Sequence, residues 1–178
     1  AVLTSGGIGS RAHVGLVPAA FQHRIHFVWV GAIARGGLHV GSVYLRHSEG
    51  LSDANCEILS RIAAALRALR GPWILAGDWN LSPQTLQASR WLDIIGGEIH
   101  QPPHPTCGSN TYDFFTVSRS FRAAVARVLT VDDSGLHPHS IARLVLRGSP
   151  RKARGRFLVR PRKIAGRLLS APCLRPRP

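Results

Sequence analysis

Asp78 and Asn80 are the residues whose type and spacing could do chemistry. They follow an apolar run of strand length, Trp73 to Ala76, that ends at Gly77; Leu81, Ser82 and Pro83 then break the extended backbone. Alternate side chains of an extended segment point the same way, so the spacing predicts that Asp78 and Asn80 share a face while Trp79 turns to the other. An anionic and a neutral oxygen would then address one point. That suits a hard divalent cation with its bound water, or a polarised phosphoryl group. The same two residues also suit a β-turn in which they only cap backbone groups, because Asp and Asn are standard turn residues.

The elements around this segment begin with three β-rich stretches, Ala12 to Val17, Ile25 to Val30 and Leu38 to Leu45, separated by Gly, Pro or charged turns and read as an antiparallel meander. Gly6-Gly7-Ile8-Gly9 has no strand before it and no Lys-Ser/Thr after it, so it reads as a flexible turn and not a nucleotide loop. From Ser52 to Arg70 the period changes. Ile58, Leu59, Ile62, Ala65, Leu66 and Leu69 recur at three and four, which predicts an amphipathic helix capped by Ser52 and ended by Gly71-Pro72. Pro83 to Leu92 predicts a short helix. Gly96 to Pro105 reads as a loop, whose prolines exclude a helical metal pair of His100 and His104. Strands follow at Thr111 to Ser118, which carries Asp113, then at Val125 to Val131 and Ile141 to Leu146.

Composition bounds the class. The 178 residues suit one domain with a buried core, 44% being hydrophobic, and no apolar run approaches the ~20 residues of a membrane span. Cys56, Cys107 and Cys173 are widely spaced with no C-x-x-C, which gives the expectation of reduced thiols and an intracellular setting. The net charge is +14, but residues 147–178 carry eleven Lys or Arg and no acid. Residues 1–146 therefore hold twelve bases against all nine acids, a balance of +3. The division predicts a domain over 1–146 and a basic, Pro- and Arg-rich tail over 147–178, read as disordered. Such a tail is either a polyanion-binding arm acting by counterion release or a solvated extension.

Three blocks in order, Gly77-Asp78-Trp79-Asn80, Tyr112-Asp113-Phe114-Phe115-Thr116-Val117-Ser118 and His137-Pro138-His139-Ser140 before the last strand, resemble signatures of the endonuclease/exonuclease/phosphatase superfamily. That superfamily includes abasic-site endonucleases, deoxyribonuclease-like enzymes and retrotransposon endonucleases. The resemblance runs from about Gly6 to Leu146 and implies an α+β fold, a β-sandwich flanked by helices in four layers (αββα). It implies Mg²⁺- or Mn²⁺-dependent phosphodiester hydrolysis, most simply of nucleic acid. Asp78 and Asn80 would orient the nucleophilic water and contact the phosphate, Asp113 would fix the geometry, His139 would be the terminal histidine, and Tyr44 would bind phosphate. His47 lies where many members have Asn, a substrate-binding position. In chemical terms Asp78 takes the water's proton, Asn80 donates to a phosphoryl oxygen, and protonated His139 stabilises the pentacovalent anion.

The sequence departs from the pattern twice. Pro138 stands where the family has the acid of S-D-H, expected to orient His139, and Asp132 or Asp133 is the available substitute. The family's early strands, with a metal-holding glutamate, would precede Gly6; Glu49, Glu57 and Glu98 lie in other elements, leaving Asp78 or His139 as candidate metal ligands. The chain is thus expected to be N-terminally incomplete and monomeric, with a fused partner domain such as a reverse transcriptase as one full-length arrangement. The alternative function is a catalytically impaired nuclease-like module that holds nucleic acid through its basic tail. DNA, RNA and small phosphate esters are not distinguished.

Overall fold

The computed structural model describes residues 2–4, 8–131, 135 and 137–148. Its frame is a six-stranded sheet. β1 (Ser10–Ala12), β2 (Ile25–Val30) and β3 (Leu38–Tyr44) form the antiparallel meander, and α1 (Asp53–Ala68) crosses over to β4 (Trp73–Asp78), which lies parallel to β3. After α2 (Pro83–Ala88) and α3 (Trp91–Ile95), β5 (Gly97–His100) forms the edge beside β6 (Asp113–Ser118), giving the order β1-β2-β3-β4-β6-β5. β7 (Val125–Val131) and β8 (Ile141–Leu146) pair as a separate two-stranded sheet.

Period-two alternation divides the large sheet between two cores. Ile25, Phe27, Val43, Leu75 and Phe114 face α1, whose Ile58, Leu59, Ile62, Ala65 and Leu66 are the buried stripe that the sequence marks. Leu38, Ile74 and Val117 face the other way, where Leu144 and Leu146 of β8 cover them. Helices, large sheet and small sheet make three of the four expected layers among the described residues. The cap of α1 forms as predicted, Ser52 Oγ accepting from the Asn55 amide at 3.3 Å.

Several sequence expectations are corrected. The first strand is Ser10–Ala12 and not Ala12 to Val17, because Gly15, at φ 76°, turns the chain where the β-rich residues continue. The helix read over Pro83 to Leu92 is two helices, broken at Arg90 with φ 61°. The loop read over Gly96 to Pro105 contains β5, held by pairing with β6 through Gly97↔Ser118 and His100↔Phe115. The tail beyond Gly148 lies outside the described residues, as do Asp132, Asp133 and Cys173. Cys56 and Cys107 are free thiols. Among the described residues no helix is long and apolar enough to cross a membrane.

Candidate active site

Trp79 fixes where the chemistry-bearing residues sit. It is fully buried (0% exposed), stacks on Phe114 at 5.1 Å and meets Trp91 edge-on at 6.0 Å, with its indole N–H donating to the Phe114 carbonyl at 3.0 Å. With Trp79 locked in the helix-side core, Asp78 must emerge on the opposite face at the end of β4. Gly77 just before it is required by contact, since a Cβ there would overlap the Val43 backbone on β3.

Asn80 is brought against Asp78 differently from the expected strand alternation. β4 ends at Asp78, and Asn80 takes the left-handed conformation (φ 48°), which Asn tolerates. Its amide N–H donates to Asp78 Oδ1 at 3.0 Å. The turn reading and the site reading of these residues are thus both realised. The Asn80 side chain is buried (8% exposed), and Nδ2 donates to the Leu45 carbonyl at 2.9 Å. That bond fixes the amide's orientation, so Oδ1 is the acceptor toward His47 Nδ1 at 3.0 Å. His47 therefore carries its proton on Nδ1 when neutral, leaving Nε2 as its other polar atom on the exposed side of the loop.

Asp113 starts β6 and is the register partner of Asp78, just as Tyr44 is on β3. Cross-strand partners project to one face, so Tyr44, Asp78 and Asp113 form a row along one rim of the sheet. His139 reaches that row from the chain leading into β8, its Nδ1–H donating to Asp113 Oδ2 at 2.8 Å. This answers the Pro138 departure: the carboxylate that orients His139 is Asp113, from β6, and not the residue before the histidine. A cavity of about 560 Å³, lined by Ala76, Phe115 and Ile141 among others, opens beside the pair.

The electrostatics follow from this crowding. Burial pushes the Asp78 carboxyl above the usual carboxylate range, and the nearby Asp113 charge adds to the rise against the Asn80 amide and His139. His139 is raised from the ordinary imidazole value, chiefly by its hydrogen bond to Asp113 and further by the charges of Asp113 and Asp78, against a smaller opposing effect of burial. The site combines a carboxylate made more basic with an imidazole inclined to hold its proton.

Two further residues hold this arrangement and are not marked by the sequence. Thr106, 1% exposed, accepts at Oγ1 from the amides of Tyr112 (3.0 Å) and Asp113 (2.9 Å), and its carbonyl accepts from Ser140 N–H at 2.7 Å. It ties the residue after His139 to the start of β6. Asn55, fully buried on α1, accepts from the Arg46 amide at 2.8 Å and donates to the carbonyls of Arg46 (3.1 Å) and Gly50 (2.8 Å), fixing the loop that carries His47. The only sequence signal for Asn55 is a polar residue where a capping-box acid is expected.

A divalent cation is tested by the donor set. Among the described residues no group of three His, Cys, Asp or Glu side chains is placed to hold a metal ion by itself. Glu49, Glu57 and Glu98 are engaged elsewhere, by Ser52 and Arg46, by Arg61, and by His100. Asp78 and its register partner Asp113 nevertheless put two carboxylates side by side at the rim. The residues fit a cation shared with a substrate phosphate, as Mg²⁺ is commonly held by one or two carboxylates plus phosphate oxygens. They do not build an all-protein cage.

No protein-family model matches the sequence, and no curated protein sequence matches it. Solved structures do match its fold. The endonuclease domain of TRAS1, a telomere-specific non-LTR retrotransposon, superposes with a TM-score of 0.64 at 14% identity over 80% of this chain and 70% of that one. The AP endonuclease LMAP from Leishmania major gives 0.63 at 12% identity, over 81% of this chain and 63% of that one. The 3′ phosphatase NExo from Neisseria, bound to a product DNA hairpin, gives 0.56 at 14% identity over 78% and 70%. The chain thus spans less than two thirds of the length of LMAP and 70% of the other two. At these identities the likeness concerns the backbone: the chain has the fold of the endonuclease/exonuclease/phosphatase-type proteins.

Proposed function

We propose that the chain hydrolyses phosphodiester bonds of nucleic acid, with the phosphate seated on the rim between Asp78, Asn80 and His139. The observation that carries this reading is the Asp113–His139 pair at 2.8 Å, set on the register partner of Asp78. It joins a basic carboxylate to an oriented imidazole from a distant part of the chain. DNA is the favoured polymer, because the matched structures are described as an AP endonuclease and as a 3′ phosphatase bound to a DNA hairpin.

In this reading Asp78, raised by burial, takes the proton of the attacking water. The second N–H of Asn80 Nδ2, the first being used by Leu45, donates to a non-bridging oxygen. His139 holds a proton on Nε2 while Nδ1–H is anchored by Asp113, and places positive charge against the developing anion. Tyr44, half exposed in the same row, and His47 Nε2 are the neighbouring phosphate contacts. Mg²⁺ or Mn²⁺, held by Asp78 together with phosphate oxygens, would lower the water's pKa and neutralise phosphoryl charge.

Nicking of supercoiled plasmid and of abasic-site DNA in Mg²⁺, compared with Asp78→Ala and His139→Ala, tests the proposal. The expected result is cleavage by the wild type and a loss of about 10²–10⁴-fold in each variant. No cleavage, or equal cleavage by all three, overturns it. The second reading, a binding module without turnover, is favoured by the eleven basic residues of 147–178. Under that reading deletion of 147–178 flattens the salt dependence of DNA affinity in a chain that never nicks.

A further inference from the structure

At the opposite end of β3 from Tyr44, two histidines are hydrogen-bonded to each other. His39 is buried (7% exposed), and its Nε2 lies 2.9 Å from the Arg70 carbonyl, which can only accept. Nε2 therefore carries a proton, and in the neutral ring Nδ1 is an acceptor. His13, in the turn after β1, supplies the donor, its Nε2 lying 2.9 Å from His39 Nδ1. The chain from His13 through His39 to the Arg70 carbonyl fixes both neutral tautomers.

The pair ties a weak edge to the body of the sheet. β1 is an edge strand of three exposed residues, and just past it the His13 amide donates to the Phe27 carbonyl of β2 at 3.0 Å. There the chain leaves the sheet, since Val14 is 96% exposed and Gly15 turns at φ 76°. The His13 ring reaches past β2 to β3 and, through His39, to the turn between α1 and β4. The groups around the pair oppose added positive charge. Arg11 of β1 lies over the Trp29 ring at 5.4 Å, Arg70 follows α1, and His26 of β2 shares with His13 a cavity of about 130 Å³. The register partners of His39, Trp29 on β2 and Trp73 on β4, are uncharged. Burial first, then His39 and Arg11, hold the His13 pKa below the ordinary imidazole value, and neither neighbour is a carboxylate.

One proton added to the pair can be shared, because either nitrogen of the central contact then donates to the other. A second cannot: His13 Nε2 and His39 Nδ1 would both carry hydrogen and face each other at 2.9 Å. We infer that His13 and His39 form an acid-operated latch, which holds β1 and the turn after it against β3 while one nitrogen of the contact can accept, and releases that edge when both rings are charged. The sign follows from linkage. The folded pKa of His13 is depressed, so its contribution to stability is complete above the unfolded value near 6.5 and is lost as pH falls through the folded value. His139 has the opposite dependence. The latch lies outside the candidate active site and does not depend on the hydrolytic reading.

Hydrogen exchange of the full chain tests the latch, read as protection relative to each amide's intrinsic rate between about pH 8 and about pH 5. In the wild type, protection of the amides that pair β1 with β2 falls by about tenfold over this range, the linkage of one proton across one pH unit. Protection between β4 and β6 stays within about twofold, because that pairing lies in the body of the sheet. His13→Gln carries an amide that donates to His39 Nδ1 or accepts from it, so protection of β1 stays high throughout. His13→Ala has no latch, and its β1 protection is low and flat with pH. Nitrogen-detected imidazole NMR at about pH 8 should find His13 and His39 both protonated on Nε2. Wild-type protection that falls equally in both regions, or an acid loss that persists in His13→Gln, overturns the inference. So does wild-type protection in His13→Ala, or a neutral His39 with its proton on Nδ1.

Discussion

Among the described residues are two histidine–carboxylate pairs of nearly equal length, their carboxylates on neighbouring strands. Asp113 and His139 lie 2.8 Å apart and Glu98 and His100 lie 2.9 Å apart, and all four side chains are part-buried. What separates them is provenance. Glu98 and His100 are two residues apart on the edge strand β5, so the pleat alone puts them side by side. Asp113 and His139 are 26 residues apart, on a central strand and on the entry to the second sheet, and they meet beside a third ionisable group, Asp78. A histidine with an acid is common surface chemistry. A candidate site needs groups from several elements converging on one point, with their protonation altered by that convergence.

The largest contrast between the pairs lies in turnover. His139→Ala or Asp113→Asn is expected to lower plasmid nicking by about 10²–10⁴-fold, and Glu98→Gln or His100→Ala to leave it within about twofold, as a steady-state cleavage assay would read. Equal losses at both pairs would mean that the edge pair belongs to the site. Next come the supports. Trp79→Ala, which empties the wedge behind Asp78, is expected to cost about 3–5 kcal/mol in denaturant unfolding. Thr106→Val, which strips the acceptor of two part-buried amides at the start of β6, is expected to cost about 1–3 kcal/mol and to loosen the Asp113–His139 geometry.

A smaller effect is protonic. The folded pKa of His139 is raised, so the pair contributes stability below the unfolded imidazole value near 6.5, and this contribution is lost as pH rises through the folded pKa. Imidazole NMR titration should find His139 above the ordinary value in the wild type and no longer raised by this bond in Asp113→Asn. The smallest effect has the opposite sign for stability. Asp78 is raised by burial and by the charge of Asp113, so its ionisation disfavours the fold as pH rises through its titration range. Asp78→Asn should therefore raise the melting temperature near neutral pH while removing activity. A lower melting temperature would contradict the account of Asp78 as a strained base.

The sequence is most legible where local physics decides. The helical stripe from Ile58 to Leu66 and the abrupt end of β4 at Asp78-Trp79-Asn80 are local signals, and both appear where expected. β1 lies earlier than its β-rich residues suggest because the β-propensity of Val14 and Val17 gives way to the turn at Gly15. β5 carries no local signal, because Ile99 is its only large apolar residue and its strand state comes from tertiary pairing with β6. Within the site, Asp78, Asn80, Asp113 and His139 were visible as residue types, but the partnership replacing the acid at Pro138 was not. That pairing is set by the Thr106 loop, in which one residue holds the start of β6 through its hydroxyl and Ser140 through its carbonyl.

The most direct test of the central claim is the position of a phosphate. A crystal structure of the Asp78→Asn chain with a short DNA oligonucleotide and Mg²⁺ should place one phosphorus between Asn80 Nδ2 and His139 Nε2, within hydrogen-bond reach of both through its oxygens. A phosphate backbone lying elsewhere, with the rim of Asp78, Asp113 and His139 left to solvent, would contradict the account.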